Sequence, residues 1–337
     1  MKHLAYIFLF TSLFACGDDE KAANTPPAAL FEFSDGIDRI VLDGEISTDP
    51  DSDPLTYQWT SSNGSIVFDD PTGSDSFFKI PTGASDMKVD VTLTVSDGKS
   101  ENVKTRSVDV PAFSLIRSYG LGKTLTKEVS NDLDYEWYID QSNSGPYSLL
   151  NCGPAAVTMA IKWFDKNFSG TAQDARNVYH SSGGWWYTND MIAYLNKYNV
   201  TNRTINLDQI SNIKDEIDAG NILIICLDMF YVDNFTDPEY HVNKFYTTNG
   251  AGWGHFIVVK GYKQIDGKVF YETYDPYSFN SSYLTGGLKG KNRYYSSTNL
   301  DAATQIWWDY AIVVERSDTP GGRKGVDVSQ IIHKPGR

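Results

Sequence analysis

The sequence predicts two folded parts of different class, a small all-β module followed by a larger α+β domain. Between residues 29 and 111, short runs alternate apolar and polar side chains, and glycine-containing turns separate them. From Asp134 onward, helix-like and strand-like patterns are mixed. A length of 337 residues is enough for two domains, and a hydrophobic share of 41% can fill both cores.

The first sixteen residues have the pattern of an export signal. A basic start precedes an apolar run from Leu4 to Phe14, which is too short to span a bilayer as a stable helix. The run ends in Leu13-Phe14-Ala15-Cys16, which resembles the lipobox of bacterial lipoproteins. That resemblance implies a bacterial cell-envelope protein, periplasmic or at the cell surface, with lipid chains on Cys16 as its membrane anchor. The alternative is an ordinary cleaved signal peptide.

A linker is predicted over residues 17–28, which are charged and then rich in Ala and Pro. The following residues, 29–112, predict a β-sandwich, because alternating runs such as Val89–Val95 are separated by turns such as Asn63-Gly64. The phrase from Ser47 to Trp59 resembles PKD-type and cadherin-like modules of the immunoglobulin fold. Such modules act as spacers or weak binders, an expectation that depends on the fold alone.

Three closely spaced carboxylates in that phrase, Asp49, Asp51 and Asp53, are candidate calcium ligands. Carboxylate oxygens on one loop suit a hard cation. The alternative is turn chemistry, since Asp side chains accept hydrogen bonds from their own turns.

The formal charge of −14 argues against nucleic acid or an anionic membrane surface as a partner, because both require a basic face. Residues 25–112 carry 16 acidic but only 6 basic side chains, so much of the charge is local. Three cysteines in the whole chain are too few for a disulfide scaffold.

Cys152 is predicted to lie at the start of a helix. Asn151-Cys152-Gly153-Pro154 leads into a run of good helix formers that ends near Phe164, and proline fits a first helical turn. The unpaired N–H groups and the dipole of a helix N-terminus favour a thiolate. Cys226 lies in an apolar, strand-like run and is predicted to be a core residue.

Of five histidines, His255 has the most informative surroundings, because it opens an apolar strand that reaches Tyr262. A second strand ends at Asp275-Pro276, and residues 264–267 between the strands predict a hairpin turn. Pairing of the two strands would bring Asp275 beside His255. A thiol, an imidazole and a carboxylate then form a set suited to nucleophilic catalysis.

These motifs together resemble papain-like cysteine peptidases related to the bacteriocin-processing (double-glycine leader) enzymes, over about residues 138–315. The resemblance implies an α+β papain-like peptidase domain within residues 113–315, followed by a flexible tail over 316–337. It makes Cys152 the nucleophile, His255 the general base and Asp275 the residue that orients the imidazole. The implied substrate is an extracytoplasmic peptide, protein or cell-wall cross-link, and the reaction requires no metal or organic cofactor.

Family members also place a glutamine upstream of the cysteine, where it donates to the oxyanion. Gln141 is the candidate, although it precedes Cys152 by eleven residues, which is farther than the family spacing. The intervening Ser142–Pro146 would have to loop out. Asn143 and Asn151 are the alternatives.

Aromatic residues suggest a substrate groove formed by Trp185, Trp186 and Trp253, or simple packing against a helix. The aromatic and Asn-rich stretch Met229–Gly252 is an insertion that would serve as a lid or a substrate wall. Two other classes of function stay open, an inactive papain-like fold that binds its target and an adhesive surface lipoprotein.

Overall fold

A computed structural model describes residues 23–234 and 237–316 of the protein. The predicted export signal with Cys16, residues 17–22 of the predicted linker and residues 317–337 of the predicted tail lie outside the described residues. The chain divides into two compact units, one ending at Ala112 and the other beginning at Phe113. In the described part of the chain, no helix is both long enough and apolar enough to cross a bilayer.

In its described part, residues 23–112, the first unit consists of two three-stranded antiparallel sheets. Its strands are β1 (Glu32–Asp35), β2 (Arg39–Asp43), β3 (Thr56–Ser61), β4 (Asp75–Lys79), β5 (Met87–Ser96) and β6 (Glu101–Val110). One sheet has the order β1-β2-β4 and the other β3-β5-β6. Apolar and polar residues alternate along β5 in burial as well as in sequence, which is the pattern of a strand with one face in a core.

Aromatic side chains form the centre of this unit. Trp59 on β3 is buried, and its indole N–H donates to the carbonyl of Gly73 at 2.9 Å. Its ring packs edge-on against Phe31 at 5.1 Å and stacks on Phe68 at 6.5 Å. Phe68 in turn contacts Phe78 on β4 at 5.9 Å, so this series of rings joins the two sheets.

Within residues 113–234 and 237–316, the second unit is built on one antiparallel sheet of seven strands. They are β7 (Leu125–Ser130), β8 (Asn202–Asn206), β9 (Ile222–Asp228), β10 (Gly254–Ile265), β11 (Lys268–Tyr274), β12 (Arg293–Ser296) and β13 (Tyr310–Val314). The order is β12-β11-β10-β9-β13-β8, and β7 also pairs with β10. An irregularity in β10 lies between Val259 and Gly261. Strand β9 pairs with β10 before that point and β7 pairs with it after.

Six helices accompany the sheet in the residues that the structure describes, namely α1 (Leu115–Ser118), α2 (Cys152–Phe164), α3 (Ala172–Val178), α4 (Thr188–Lys197), α5 (Ser211–Asp218) and α6 (Ser297–Trp307). The sequence analysis predicts α2 but does not single out α3. Helix α3 begins with a capping box between Thr171 and Asp174, in which each side chain accepts from the other residue's backbone N–H.

Strand β9 separates two hydrophobic clusters, because its side chains point alternately to opposite faces of the sheet. Ile222, Ile224 and Cys226 belong to the cluster that contains α2 and α4. The intervening Leu223, Ile225 and Leu227 belong to the cluster that contains α5 and α6. Cys226 is therefore a core residue, as the apolar run predicts. The unit is a mixed helix-and-sheet domain whose sheet carries helices on both faces.

Candidate active site

Cys152 is the first residue of α2, and Asn151 is the N-cap residue. The Asn151 side chain makes no capping hydrogen bond, so it does not compete for the first-turn N–H groups. Only 6% of Cys152 is exposed. Burial by itself raises the pKa of a thiol, but the hydrogen bond and the positive charge of His255 outweigh it. The pKa of Cys152 is therefore below its ordinary value of 9.0.

His255 is the second residue of β10, and Asp228 at the end of β9 fixes the loop that precedes it. The carboxylate of Asp228 accepts from the N–H of Gly252 at 2.7 Å and from that of Trp253 at 3.1 Å. The ring of His255 is 2% exposed, and its Nε2 lies 2.6 Å from Oδ1 of Asp275. Because Nε2 is engaged by the carboxylate, Nδ1 is the nitrogen left for the thiol.

Asp275 reaches His255 because β10 and β11 form a tight hairpin. The turn is Asp266-Gly267, and both residues have positive φ, as a two-residue hairpin turn requires. The register pairs Val258 with Tyr274, which places the residue after β11 beside the start of β10. The structure thus brings His255 and Asp275 together at the end of the hairpin.

The buried carboxylate of Asp275 accepts four hydrogen bonds. Its Oδ1 accepts from His255 and from the N–H of Tyr277 at 2.9 Å, and its Oδ2 accepts from the hydroxyls of Tyr295 at 2.7 Å and Tyr246 at 3.1 Å. Burial acts to raise the pKa of Asp275, but the charge of His255 and these donors outweigh it and lower the pKa. The carboxylate is therefore held ionised in the interior.

The imidazole responds in the opposite direction. Burial acts to lower the pKa of His255, yet the negative charges of Asp275 and Cys152 and their hydrogen bonds raise it to about 10. A lowered thiol pKa and a raised imidazole pKa both favour a thiolate beside an imidazolium. This charged pair is the reactive form of a cysteine nucleophile.

Gln141 is buried beside the segment that follows Asp275. Its backbone N–H donates to the carbonyl of Pro276 at 2.8 Å, and its Nε2 donates one hydrogen to the carbonyl of Ser148 at 2.8 Å. A primary amide has a second hydrogen to donate. The segment Ser142–Pro146 folds back toward Gln141, because Ser144 donates through both its N–H and its hydroxyl to the carbonyl of Gln141.

The two alternatives to Gln141 have different surroundings. Asn143 is exposed. The amide nitrogen of Asn151 donates to the carbonyl and to the hydroxyl of Ser144, both at 2.9 Å, so its hydrogens are already committed. Of the three, Gln141 alone is buried with an amide hydrogen left over.

Aromatic rings surround His255. The centroids of Trp253, Tyr277 and Tyr246 lie 5.7, 6.1 and 6.3 Å from the centroid of the imidazole. Of the three predicted groove residues, Trp253 is therefore next to the imidazole. Trp185 is 54% exposed, and Trp186 is 3% exposed in the core that contains α2.

Sequence reasoning missed the two tyrosines on Asp275. Tyr295 lies in β12 and carries no local motif. Tyr246 lies in the predicted insertion Met229–Gly252, and nothing in its neighbours points to a carboxylate 29 positions away. Sequence reasoning also missed Asp228, although an acidic residue at the end of an apolar strand is a recognisable signal.

In the first unit, Asp49, Asp51 and Asp53 offer oxygen atoms that all lie within 4.8 Å of one another. Oδ1 of Asp49 accepts from the N–H groups of Asp51 at 2.9 Å and Asp53 at 3.0 Å, which is turn chemistry. Oδ2 of Asp49 is buried with no hydrogen-bond partner among the described residues, so this atom is available to a cation. Lys99 lies 2.5 Å from Asp53 and would compete with a cation there.

Residues 133–300 match the model of the Peptidase_C39 like family. No curated protein sequence matches the chain. The matched range lies within the second unit and includes Cys152, His255 and Asp275.

Three solved structures are similar to parts of the chain. A nucleoside hydrolase-related protein from Saccharophagus degradans is 22% identical over 27% of this chain and 26% of its own, with a TM-score of 0.24. The chain thus spans about a quarter of that protein. The PKD1 domain of Vibrio anguillarum Epp is 25% identical over 27% of this chain and 100% of its own, with a TM-score of 0.23. A provisionally assigned C39-like peptidase from Bacillus anthracis is 14% identical over 57% of this chain and 98% of its own, with a TM-score of 0.38.

Proposed function

We propose that the second unit, whose residues 133–300 match the Peptidase_C39 like family, is a cysteine peptidase that hydrolyses peptide bonds. Cys152 is the nucleophile, His255 the acid and base, and Asp275 the residue that orients the imidazole. The observation that carries this proposal is the buried series of a thiol, an imidazole and a carboxylate, with 2.6 Å between His255 and Asp275. A substrate is a peptide, a protein or a cell-wall cross-link.

The proposed reaction has two halves. The thiolate of Cys152 attacks the carbonyl carbon of the scissile amide, and the carbonyl oxygen becomes an oxyanion. His255 gives its proton to the amide nitrogen, the C–N bond breaks, and an acyl thioester remains on Cys152. His255 then takes a proton from water, and the hydroxide attacks the thioester. The C–S bond breaks, the carboxylic acid leaves, and the thiolate and the imidazolium are restored.

Gln141 is the proposed side-chain donor to the oxyanion, together with backbone N–H groups at the start of α2. Its support is the second amide hydrogen and the hydrogen bond from Gln141 to Pro276, which places it beside the triad segment. A single donor of this kind contributes about 3 kcal/mol to lowering the barrier. Gln141→Ala should therefore slow the chemical step about a hundredfold while Cys152 keeps its reactivity toward small alkylating agents.

The insertion Met229–Gly252 is proposed to be a wall of the substrate site. Its support is Tyr246, which donates to Asp275 and packs 4.5 Å from Tyr277. Because Tyr246 hydrogen-bonds Asp275, substrate contacts with the insertion would affect the position of the orienting carboxylate.

A thiol-reactive probe tests the central proposal. Cys152 should label much faster than Cys226, because Cys226 is buried on the apolar strand β9 and burial raises its pKa well above the ordinary value. The fast labelling should disappear in His255→Ala. Peptide and peptidoglycan libraries, with and without an added amine nucleophile, then identify the scissile bond and the acyl acceptor.

Two results would contradict the enzyme. Labelling of Cys152 no faster than that of Cys226 would favour a binding module on a papain-like fold. Full cleavage activity in Cys152→Ala would show that Cys152 is not the nucleophile. In Cys226→Ser, the matched control, the probe should still react with Cys152.

The envelope location and the nature of the first unit are proposals of the same kind. We infer from the lipobox that Cys16 carries the lipid anchor, and mass spectrometry of the N-terminal peptide from membranes tests this; an unmodified, freely secreted chain would overturn it. The two joined sheets support an immunoglobulin-like sandwich of the PKD type as a spacer.

Calcium binding is proposed for Asp49, Asp51 and Asp53, because the buried, unpartnered oxygen of Asp49 lacks another ligand. Calcium should raise the unfolding temperature of the first unit, and Asp49→Asn should abolish that rise. Asp90→Asn, an exposed carboxylate on β5, is the control. No rise in the parent chain would leave turn chemistry as the explanation.

A further inference from the structure

Arg176 on α3 is a fully buried cation next to the nucleophile. Its Nε donates to Oδ1 of Asn151 at 2.7 Å, and one Nη donates to the carbonyl of Leu150 at 2.9 Å. The other Nη donates to the carbonyls of Gly184 at 2.9 Å and His180 at 3.4 Å. Among the described residues, every group that hydrogen-bonds Arg176 is neutral.

A guanidinium that is removed from water without a bonded counter-ion is unfavourable, so its position requires an explanation. Burial lowers the pKa of Arg176, and the negative charges of the Cys152 thiolate and Asp190 partly offset that effect. Two of its hydrogen bonds go to residues 150 and 151, which immediately precede Cys152. Arg176 is therefore joined to the start of α2, where the thiolate that acts on its charge lies.

We propose that Arg176 is a positioning residue that stabilises the thiolate of Cys152 by completing a charge-balanced buried cluster. The proposal rests on the proposed function, in which Cys152 and Asp275 are anions and His255 is a cation. Those three groups carry a net charge of minus one in a site shielded from water, and Arg176 brings the total to zero. Without Arg176, one negative charge stays uncompensated, and protonation of the Cys152 thiolate is the easiest way to remove it.

Arg176 also holds the geometry of the site through a continuous series of hydrogen bonds. Asn151 accepts from Arg176 and donates to Ser144, Ser144 donates to Gln141, and Gln141 donates to the carbonyl of Pro276. The series thus runs from α3 past the nucleophile to the residue after Asp275. The planar guanidinium has several donors in a fixed geometry, so it can hydrogen-bond Leu150, Asn151 and Gly184 at once, whereas a lysine ammonium cannot.

Other ionisable groups surround the cluster, and the buried carboxylate of Asp228 interacts with the buried cation Lys244, whose charge offsets it. Cys226 interacts with Cys152, but its thiol stays neutral because burial raises its pKa well above the ordinary value. Asp190 and Tyr147 act on Arg176 at a distance, and Asp190 accepts hydrogen bonds from His180 and from the backbone of Tyr187. The thiolate is therefore governed by His255 from the sheet and by Arg176 from the helical side.

The test is the pH dependence of alkylation of Cys152 by iodoacetamide in the full chain, followed by mass spectrometry of the Cys152 peptide. Arg176→Gln should raise the thiol pKa by about one unit and slow alkylation below that pKa about tenfold. Asn151→Asp should act in the same direction, because it places a carboxylate against the guanidinium. Arg176→Lys should keep most of the low thiol pKa, since it keeps the charge, while peptide cleavage falls because the fork is lost.

Arg293 is the matched control. It is also fully buried, and its partners are the carbonyls of Asn243, Tyr240 and Val242 and the hydroxyl of Tyr283. Arg293→Gln should lower the unfolding temperature as much as Arg176→Gln does but leave the thiol pKa unchanged. If Arg176→Gln does not fold, Asn151→Asp and Arg176→Lys still distinguish an effect of charge on the thiol pKa from a loss of folding.

Two failures are distinguishable. If the parent chain shows a low, His255-dependent thiol pKa that neither Arg176→Gln nor Asn151→Asp shifts, the inference is wrong and the proposed function stands. If Cys152 in the parent chain titrates as an ordinary thiol and His255→Ala has no effect, the proposed function fails and the inference fails with it.

Discussion

The charges of three buried side chains determine how reactive the site is at a given pH. The reactive form requires a deprotonated Cys152 and a protonated His255. The pKa of Cys152 is below 9.0, and that of His255 is raised to about 10. Both conditions are met only between the two pKa values, so the rate should rise and then fall as pH increases.

We expect a bell-shaped dependence of kcat/KM on pH, with its alkaline limb near pH 10 as His255 loses its proton. In Asp275→Asn, the main charge that raises the pKa of His255 is gone, so the alkaline limb should move to lower pH. Initial rates on a fluorogenic peptide measure both profiles. A single rise with a midpoint near 9 in the parent chain would show a thiol that is not coupled to His255.

Tyr295 should matter for stability as well as for activity. In Tyr295→Phe, Oδ2 of Asp275 loses its 2.7 Å donor, and an under-satisfied buried carboxylate costs about 1–3 kcal/mol. The lowered pKa of Asp275 contributes stability above the ordinary value of 3.8, and this contribution is lost as pH falls through the folded-state pKa. Removal of the donor raises that pKa, so the variant should be less stable at pH 7 but lose less of its stability on acidification.

Urea unfolding at several pH values measures this difference. Tyr231→Phe, which alters an exposed hydroxyl, is the control. Equal stability of Tyr295→Phe and the parent at pH 7 would contradict the assigned role of Tyr295.

Among the structural elements, the turn before β12 is pressed against the backbone of Asp275. A Cβ atom at Gly290 would lie 2.0 Å from the carbonyl oxygen of Asp275 and 2.6 Å from the hydroxyl of Tyr138. The N–H of Asp275 donates to the carbonyl of Gly290 at 2.8 Å, and the Tyr138 hydroxyl donates to the Asp275 carbonyl at 2.8 Å. Only glycine allows this close approach, so the turn fixes the position of the Asp275 backbone, from which the carboxylate extends.

Gly290→Ala should therefore reduce kcat by more than tenfold, because Asp275 has to shift and the imidazole loses its orientation. Gly287→Ala is the matched control in the same loop, since its nearest neighbour atom would be 4.0 Å away in Tyr283. Steady-state kinetics together with thermal unfolding separate a displaced carboxylate from a destabilised domain. Equal kcat in the two variants would contradict the proposed effect.

Local sequence signals were sufficient for the hairpin and for α2. The Asp266-Gly267 turn specifies a tight connection, and Pro154 with its neighbours specifies a helix start, so the placement of Cys152, His255 and Asp275 could be proposed from residues alone. The partners of these residues could not. Tyr246 and Arg176 act across long separations in the chain, and their roles depend on tertiary packing rather than on neighbouring residues.

At the scale of the whole molecule, Cys152, His255 and Asp275 all belong to the unit that begins at Phe113. Residues 113–337 expressed alone should therefore keep the thiol reactivity of Cys152 within about twofold and its unfolding temperature within a few degrees. Alkylation rates and differential scanning calorimetry on the truncated and full chains test this expectation. Loss of reactivity on truncation would assign the first unit a part in the site.

The place of β13 in the sheet has a consequence for biosynthesis. This strand is the last one of the described chain, yet it lies between β9 and β8 rather than at an edge. Until β13 has left the ribosome, β8 has no partner. Strand β9, which pairs with the strand that carries His255, then has one unpaired edge. Long-range pairing of this kind is slow and comes late. A nascent chain therefore cannot close the sheet beside His255 before residues 310–314 have been made.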